Sequence, residues 1–164
     1  MKKTLYITFA ALFAVLGALT GCTPELEPLD SPFVYIKDGN GTGSMNVDAD
    51  ANNLTTSLYV TTCSRKIEEV VEVSFRAIVG DGLKEGVDFR IKQGLEGSVK
   101  FQPGVNKMPI HVVWSKNPDL DPSKDNTLTI EITSCSHPDF TLGYLSLGDT
   151  HLYKSYTFTR IKSN

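Results

Sequence analysis

Most of this sequence alternates apolar and polar residues with a period of two. In VVEVSFRAIV (70–79), Val71, Val73 and Phe75 share one face, and polar residues occupy most of the positions between them. This period is typical of a strand with one buried face, and no helical period runs through the chain beyond its first residues. Turn residues separate the alternating stretches. We therefore predict an all-β, antiparallel β-sandwich of about seven strands. Alternating stretches lie at 33–37, 44–48, 55–63, 70–79, 98–102, 108–114, 128–133 and 154–161.

The first 21 residues follow another pattern. Lys2 and Lys3 precede an uncharged, apolar stretch at 4–19, which is the layout of a secretory signal peptide. A membrane-spanning helix needs about 20 apolar residues, and no basic cluster follows this stretch. We interpret residues 1–21 as a signal peptide.

The end of that segment, Leu19-Thr20-Gly21-Cys22, resembles the lipobox of bacterial lipoproteins. The resemblance implies that Cys22 becomes the mature N-terminus and carries acyl chains, which hold the protein to a membrane. The alternative is a cysteine that lies by chance near an ordinary cleavage site. Residues 22–31 are rich in proline and acids and predict a semi-rigid tether. The residue directly after Cys22 is not Asp, which by the same resemblance favours sorting to the outer membrane. The sequence does not decide whether the domain lies on the cell surface or on the periplasmic face.

Composition limits the partners of the remaining chain. Removal of residues 1–21 takes away two lysines and no acid, so the formal net charge changes from −3 to −5. Binding to nucleic acid requires Lys and Arg to neutralise phosphates, so we expect no nucleic-acid partner. A chain of this length makes one domain, which we place at 32–164.

Two consecutive stretches suggest a family. EGVDFRIKQGLEGSVKF (85–101) is followed by QPGVNKMPIHVVW (102–114), in which Gly86 and Gly104 suit tight turns and Asp88 can bond back into its own turn. The order G-x-D-F, then F-x-P-G, then alternating aliphatic residues resembles the Calx-β domain. The resemblance implies an immunoglobulin-like sandwich. Similar domains occur in small lipoproteins encoded beside glycan-uptake systems, which agrees with the interpretation of Cys22.

The resemblance also raises the question of calcium, because acids in Calx-β loops of the exchanger type bind that ion. Of the five corresponding positions only Asp125 is an acid here. Asp119 and Asp121 lie in the same loop, but calcium needs six to eight oxygen ligands, and a solvated loop is the alternative. We expect neither a metal nor another cofactor. The five positions are Lys116, Asn117, Ser123, Asp125 and Asn126.

Motifs of catalysis are missing from the sequence. His111, His137 and His151 do not have the spacing of zinc ligands, and there is no G-x-S-x-G, H-E-x-x-H or S-x-x-K motif. We therefore predict that the protein is not an enzyme and has no catalytic residues.

Cys63 and Cys135 form a candidate disulfide. In an immunoglobulin-like strand order they would reach the same end of the sandwich, and an exported protein meets oxidising conditions. The in-and-out alternation along each strand argues against this disulfide, because it directs both cysteine side chains outward unless a bulge reverses one of them. The sequence leaves the pairing open.

Three aromatic residues, Trp114, Tyr144 and Tyr153, could stack on a sugar ring. Trp114 shares the parity of its apolar neighbours, which favours a core position. The long connection at 137–149 carries Phe140 and Tyr144, and loops at the ends of a sandwich often carry function. We take this connection and the loop at 117–125 as the first candidates for a ligand site.

These patterns predict a non-catalytic, lipid-anchored protein of the cell envelope that acts as a binding or assembly accessory in glycan uptake, with a glycan or another envelope protein as its partner. The alternatives are a structural or adhesive module that binds a protein and a small envelope hydrolase. A surface platform of aromatic residues would favour a glycan, and a continuous apolar patch would favour a protein.

Overall fold

The alternating stretches form strands in a computed structural model that describes residues 32–63, 68–146 and 149–162. The predicted signal peptide, Cys22 and the tether lie outside the described residues. In the described part no helix is long and apolar enough to cross a membrane. The strands are β1 (Phe33–Asp38), β2 (Ser44–Asp48), β3 (Leu54–Cys63), β4 (Val71–Val79), β5 (Phe89–Ile91), β6 (Glu96–Phe101), β7 (Lys107–Trp114), β8 (Thr127–Cys135), β9 (Thr141–Leu142), β10 (Tyr144–Ser146), β11 (Asp149–Leu152) and β12 (Ser155–Ile161).

Two five-stranded sheets make the sandwich. Sheet A has the order β5-β7-β3-β1-β9, and sheet B has the order β2-β12-β8-β4-β6. Most neighbours are antiparallel, whereas β1 pairs with β9 and β12 pairs with β2 in parallel. β10 and β11 form a separate antiparallel pair. The all-β sandwich is therefore confirmed.

The two-residue period positions the core. In β4, Val71, Val73 and Phe75 are buried, whereas Arg76 is exposed on the opposite face. In β7, Ile110, Val112 and Trp114 are fully buried by the same alternation. Side chains that share parity along a strand share a face, so the inner faces of both sheets enclose one apolar cluster.

The strand count is higher than the seven or so that we predicted. The four strands missing from the sequence prediction are β5, β9, β10 and β11, and each has only two to four residues. Such short stretches hold one or two alternations, which are too few to show a period.

The two turns of the family-like stretch form as expected. Gly86 has a φ of 80°, and the backbone amide of Lys84 donates to Asp88 Oδ2 at 2.7 Å. Gly104 has a φ of 82°, and the backbone amide of Val105 donates to the carbonyl of Gln102 at 2.9 Å. A positive φ is costly for residues with a Cβ, so glycine suits both positions.

Candidate functional site

The outer face of sheet A carries tyrosines and lysines in adjacent positions. On β1, residues 33, 35 and 37 face away from the core; on β3, the outward positions include Tyr59 and Thr61. Lys37 lies opposite Tyr59, and Tyr35 lies opposite Thr61. On the far side of β3, Thr61 lies opposite Lys107 of β7. The register thus brings together residues that are distant in the sequence. We call Tyr35, Lys37, Tyr59, Lys107 and Tyr153 the tyrosine–lysine face.

Each lysine of this face lies over an aromatic ring. Lys37 Nζ is 3.8 Å from the centre of the Tyr153 ring and 5.5 Å from that of Tyr35. Lys107 Nζ is 3.9 Å from the centre of the Tyr59 ring. A cation within about 6 Å of a ring centre is attracted by the negative ring face. These contacts orient the ammonium groups along the sheet.

Tyr153 is held in place by its backbone. It has a φ of 60°, which is uncommon for a residue with a side chain. Its carbonyl accepts a hydrogen bond of 2.9 Å from the amide of Ile36. Its ring packs against Gly43, where an added Cβ would lie 3.3 Å from two ring carbons. Such local strain is found more often at functional sites than elsewhere.

A groove of about 430 Å³ lies at the β1 side of this face. Its walls combine aromatic rings with one ammonium group and one thiol, and it is open to solvent along one side. Concave surfaces of this size that mix apolar and polar groups are typical of small-molecule sites. The lining residues are Phe33, Tyr35, Lys37, Cys63, Leu152 and Tyr153.

The strands of this face carry few acids. Among the residues of β1, β3, β5 and β7 the one acid is Asp38. Its carboxylate accepts hydrogen bonds from Thr42 and Asn40 in the following turn and from the hydroxyl of the buried Tyr156. Although burial acts to raise it, these hydrogen bonds hold the pKa of Asp38 below its ordinary value. Asp38 therefore stabilises a turn, and within the described residues it forms no ion pair with Lys37 or Lys107.

The loop at 117–125 uses its acids to form turns. Asp121 Oδ1 accepts from the amide and hydroxyl of Ser123 at 2.9 and 2.7 Å, which lowers the pKa of Asp121. Asp125 Oδ1 accepts in the same way from Thr127 at 3.1 and 2.7 Å. Asp119 is exposed, and among the described residues its carboxylate has no hydrogen-bond or ion-pair partner. Within the described residues, no cluster of three or more acids, histidines or cysteines could hold a metal ion.

Two side-chain cations, Lys116 and Arg160, lie at the end of the sandwich that carries the loop at 117–125. Lys116 Nζ pairs with Asp50 at 2.9 Å. Arg160 is 2 % exposed, and its Nη2 donates to the carbonyls of Ala49 and Ser115 at 3.0 and 2.8 Å. Burial lowers the pKa of Arg160. One guanidinium nitrogen thus joins the loops that contain Ala49 and Ser115.

The cysteines face different environments and are both free thiols. Cys63 points outward, as parity predicts, and lines the groove. Cys135 does not follow its parity. A bulge places Ile132 opposite Phe75 and Cys135 opposite the core-facing Val73, so Cys135 packs against the core. Burial raises the pKa of the Cys135 thiol.

Two other residues that the sequence singled out, Trp114 and Phe140, belong to the core or its edge. Trp114 is buried, and its Nε1 donates to Thr56 Oγ1 at 2.9 Å. Phe140 packs against the edge of the core and against His137. The side chain of Tyr144 lies outside the described part of the chain. Tyr35, Lys37, Tyr59 and Lys107 were missed, although their parity, opposite to that of the core residues, was a usable signal.

Comparison with known proteins supports the fold only. No family model matches the chain, and no curated protein matches it. Among solved structures, the chain is similar to a Calx-β structure, titled "Crystal structure of CBD12 from CALX1.2", with a TM-score of 0.54 and 16 % identity. The match covers 79 % of this chain and 44 % of the other, so the chain spans less than half the length of that structure. The expected Calx-β-like sandwich is thus confirmed at the level of the fold.

Proposed function

We propose that the protein is a non-catalytic, lipid-anchored module of the outer membrane that binds a glycan, in connection with glycan uptake. The observation that carries the proposal is the tyrosine–lysine face. Tyr35 and Tyr59 on sheet A, and Tyr153 in the turn beside it, are each partly exposed. Tyrosine rings combine an apolar face with a polar tip, which suits the mixed apolar and hydroxylated surface of a sugar.

The arrangement of the face favours a glycan over a protein. A continuous apolar patch would favour a protein partner, but lysines and threonines separate the tyrosines here. The large exposed apolar residues of the described chain are scattered: Val70, Ile78 and Val87 lie away from this face, Leu54 begins β3, and Leu152 lines the groove. A structural or adhesive module that binds a protein is therefore the second candidate.

Affinity electrophoresis tests the binding function. The mature protein, in detergent, is run through gels that contain neutral or acidic soluble polysaccharides. We expect at least one polysaccharide to retard it, and Tyr59→Ala to reduce the retardation. Thr129→Ala, at a partly buried outward position of sheet B, is the matched control and should bind normally. Loss of binding in both variants, or no retardation by any polysaccharide, would contradict the proposal.

The anchor is tested separately. Cys22→Ser removes the atom that would carry the lipid, so we expect the protein to leave the membrane fraction. Mass spectrometry of the native mature chain should show an acylated Cys22 at its N-terminus. An unmodified N-terminus at another residue would contradict the anchor without affecting the test of glycan binding.

A further inference from the structure

The two outer faces of the sandwich differ in how their charges are balanced. On sheet B, Glu131 pairs with Arg76 at 2.7 Å and with Lys154 at 3.2 Å. Lys100 pairs with Glu72 at 3.6 Å on the same face. The cations of sheet B therefore have carboxylate partners within the chain.

The cations of sheet A have no such partners. Lys37, Arg90 and Lys107 all face outward on this sheet, and none forms an ion pair with a carboxylate of the described residues. The chain as a whole carries a net negative charge. Three cations without carboxylate partners therefore make the outer face of sheet A a region of positive charge on an acidic protein. Such a patch attracts anionic ligands selectively.

The spacing of the two lysines suits an extended ligand. Lys37 is on β1 and Lys107 is on β7, with β3 between them. Two interstrand spacings and an offset of two residues along the strands separate their backbones by about 12 Å. Tyr59 lies between them on β3, because it is the partner of Lys37 and has Lys107 over its ring. A ligand that crosses the strands would meet an ammonium group, a ring and a second ammonium group in turn.

We infer that the tyrosine–lysine face binds an oligosaccharide that carries carboxylates, with acidic groups accepting hydrogen bonds from Lys37 and Lys107 and sugar rings in contact with the tyrosine edges and hydroxyl groups that the lysines leave uncovered. The inference rests on the proposed glycan-binding function and adds the charge of the ligand. Hydrogen bonds between ions are stronger than those between neutral groups, so the carboxylates would supply selectivity and the rings would supply contact area.

Calorimetric titration with tetragalacturonate and with its methyl ester tests this inference, because the ester keeps the sugar skeleton and loses the charge. The full mature chain in detergent is used. We expect the acid to bind at least about tenfold more tightly than the ester, and binding to weaken as salt is added. Lys37→Gln and Lys107→Gln should each weaken binding of the acid about tenfold, which is the loss expected for one charge-assisted hydrogen bond.

Two further variants control the result. Lys100→Gln removes a lysine from the outer face of sheet B and should leave the affinity unchanged. Lys37→Arg keeps the charge and should retain most of the binding. Thermal melting of each variant separates loss of the site from loss of the fold.

The outcomes separate the two proposals. Equal binding of acid and ester would overturn the inference and leave glycan binding standing. Tight binding of the acid that neither lysine variant reduces would also overturn it, since the site would lie elsewhere. No binding of the acid, the ester or any neutral glycan would overturn both.

Discussion

The guanidinium carbon of Arg160 lies 5.2 Å from the centre of the Trp114 ring, inside one end of the sandwich. The same guanidinium group donates to two loop carbonyls, while its Nε and Nη1 make no hydrogen bond with the described residues. The positive charge therefore joins sheet B, through β12, to the loops at Ala49 and Ser115. A buried side-chain cation organises the end of the fold at which the resemblance raised the question of calcium.

The first prediction concerns this arginine. Arg160→Met keeps much of the volume but removes the group that donates to the carbonyls of Ala49 and Ser115, so we expect the free energy of unfolding to fall by about 1–3 kcal/mol. Arg160→Lys keeps the charge without the fork and should restore only part of the loss. Chemical denaturation measures both. A variant Arg160→Met as stable as the native chain would show that the two hydrogen bonds contribute nothing net.

The second prediction concerns calcium. Asp121 and Asp125 already accept hydrogen bonds within their turns, and Lys116 would repel a cation. A ligand stabilises a fold by RT ln(1 + [L]/Kd), so we expect millimolar calcium to leave the melting temperature almost unchanged. Differential scanning calorimetry with calcium and with a chelator checks this. A rise of several degrees that Asp121→Ala abolishes would contradict it.

The third prediction concerns Gly97 at the edge of sheet B. An added Cβ would lie 2.8 Å from Phe75 Cζ and 2.8 Å from the carbonyl oxygen of Gln93. Gly97→Ala should therefore destabilise the fold by about 1–3 kcal/mol through overpacking. At Gly39 the added atom would meet only Tyr59 Cε2, at 3.9 Å, so Gly39→Ala should stay within about 0.5 kcal/mol. Equal losses of stability for the two variants in urea denaturation would contradict this prediction, because the core around Phe75 would then have shifted to accept the added methyl group.

The fourth prediction concerns the cysteines. Because Cys63 faces the groove and Cys135 faces the core, we expect no disulfide and faster alkylation of Cys63. The thiolate is the reactive form, and burial raises the pKa of the Cys135 thiol. Timed iodoacetamide labelling with peptide mapping measures both rates. A peptide that links Cys63 to Cys135 under non-reducing conditions would refute the prediction.

The sequence predicted the long strands because each repeats its alternation several times, as β4 does from Val71 to Val79. β5 was missed because Phe89–Ile91 holds a single alternation. The direction of the Cys135 side chain could not be derived from the alternation along β8, because a bulge between β4 and β8 shifts their register by one residue.

The candidate site depends on how strands that are distant in the sequence pair with one another. The outward position of Tyr59 follows from its own strand, but its neighbours Lys37 and Lys107 come from strands far away in the sequence. Only the register of β1, β3 and β7 brings the three together. Single-strand periodicity cannot supply that register, which depends on the packing of both sheets. This explains why the sequence pointed to the loops at 117–125 and 137–149 instead.

The most direct measurement of the central claim is a titration of the ¹⁵N-labelled mature protein with tetragalacturonate, followed by amide chemical shifts. We expect the largest shifts at the outward positions of β1, β3 and β7 and at Tyr153, with little change at the outward positions of β4 and β8. Shifts concentrated on sheet B or in the loop at 117–125, or no shifts at millimolar ligand, would contradict the assignment of the tyrosine–lysine face as the binding site.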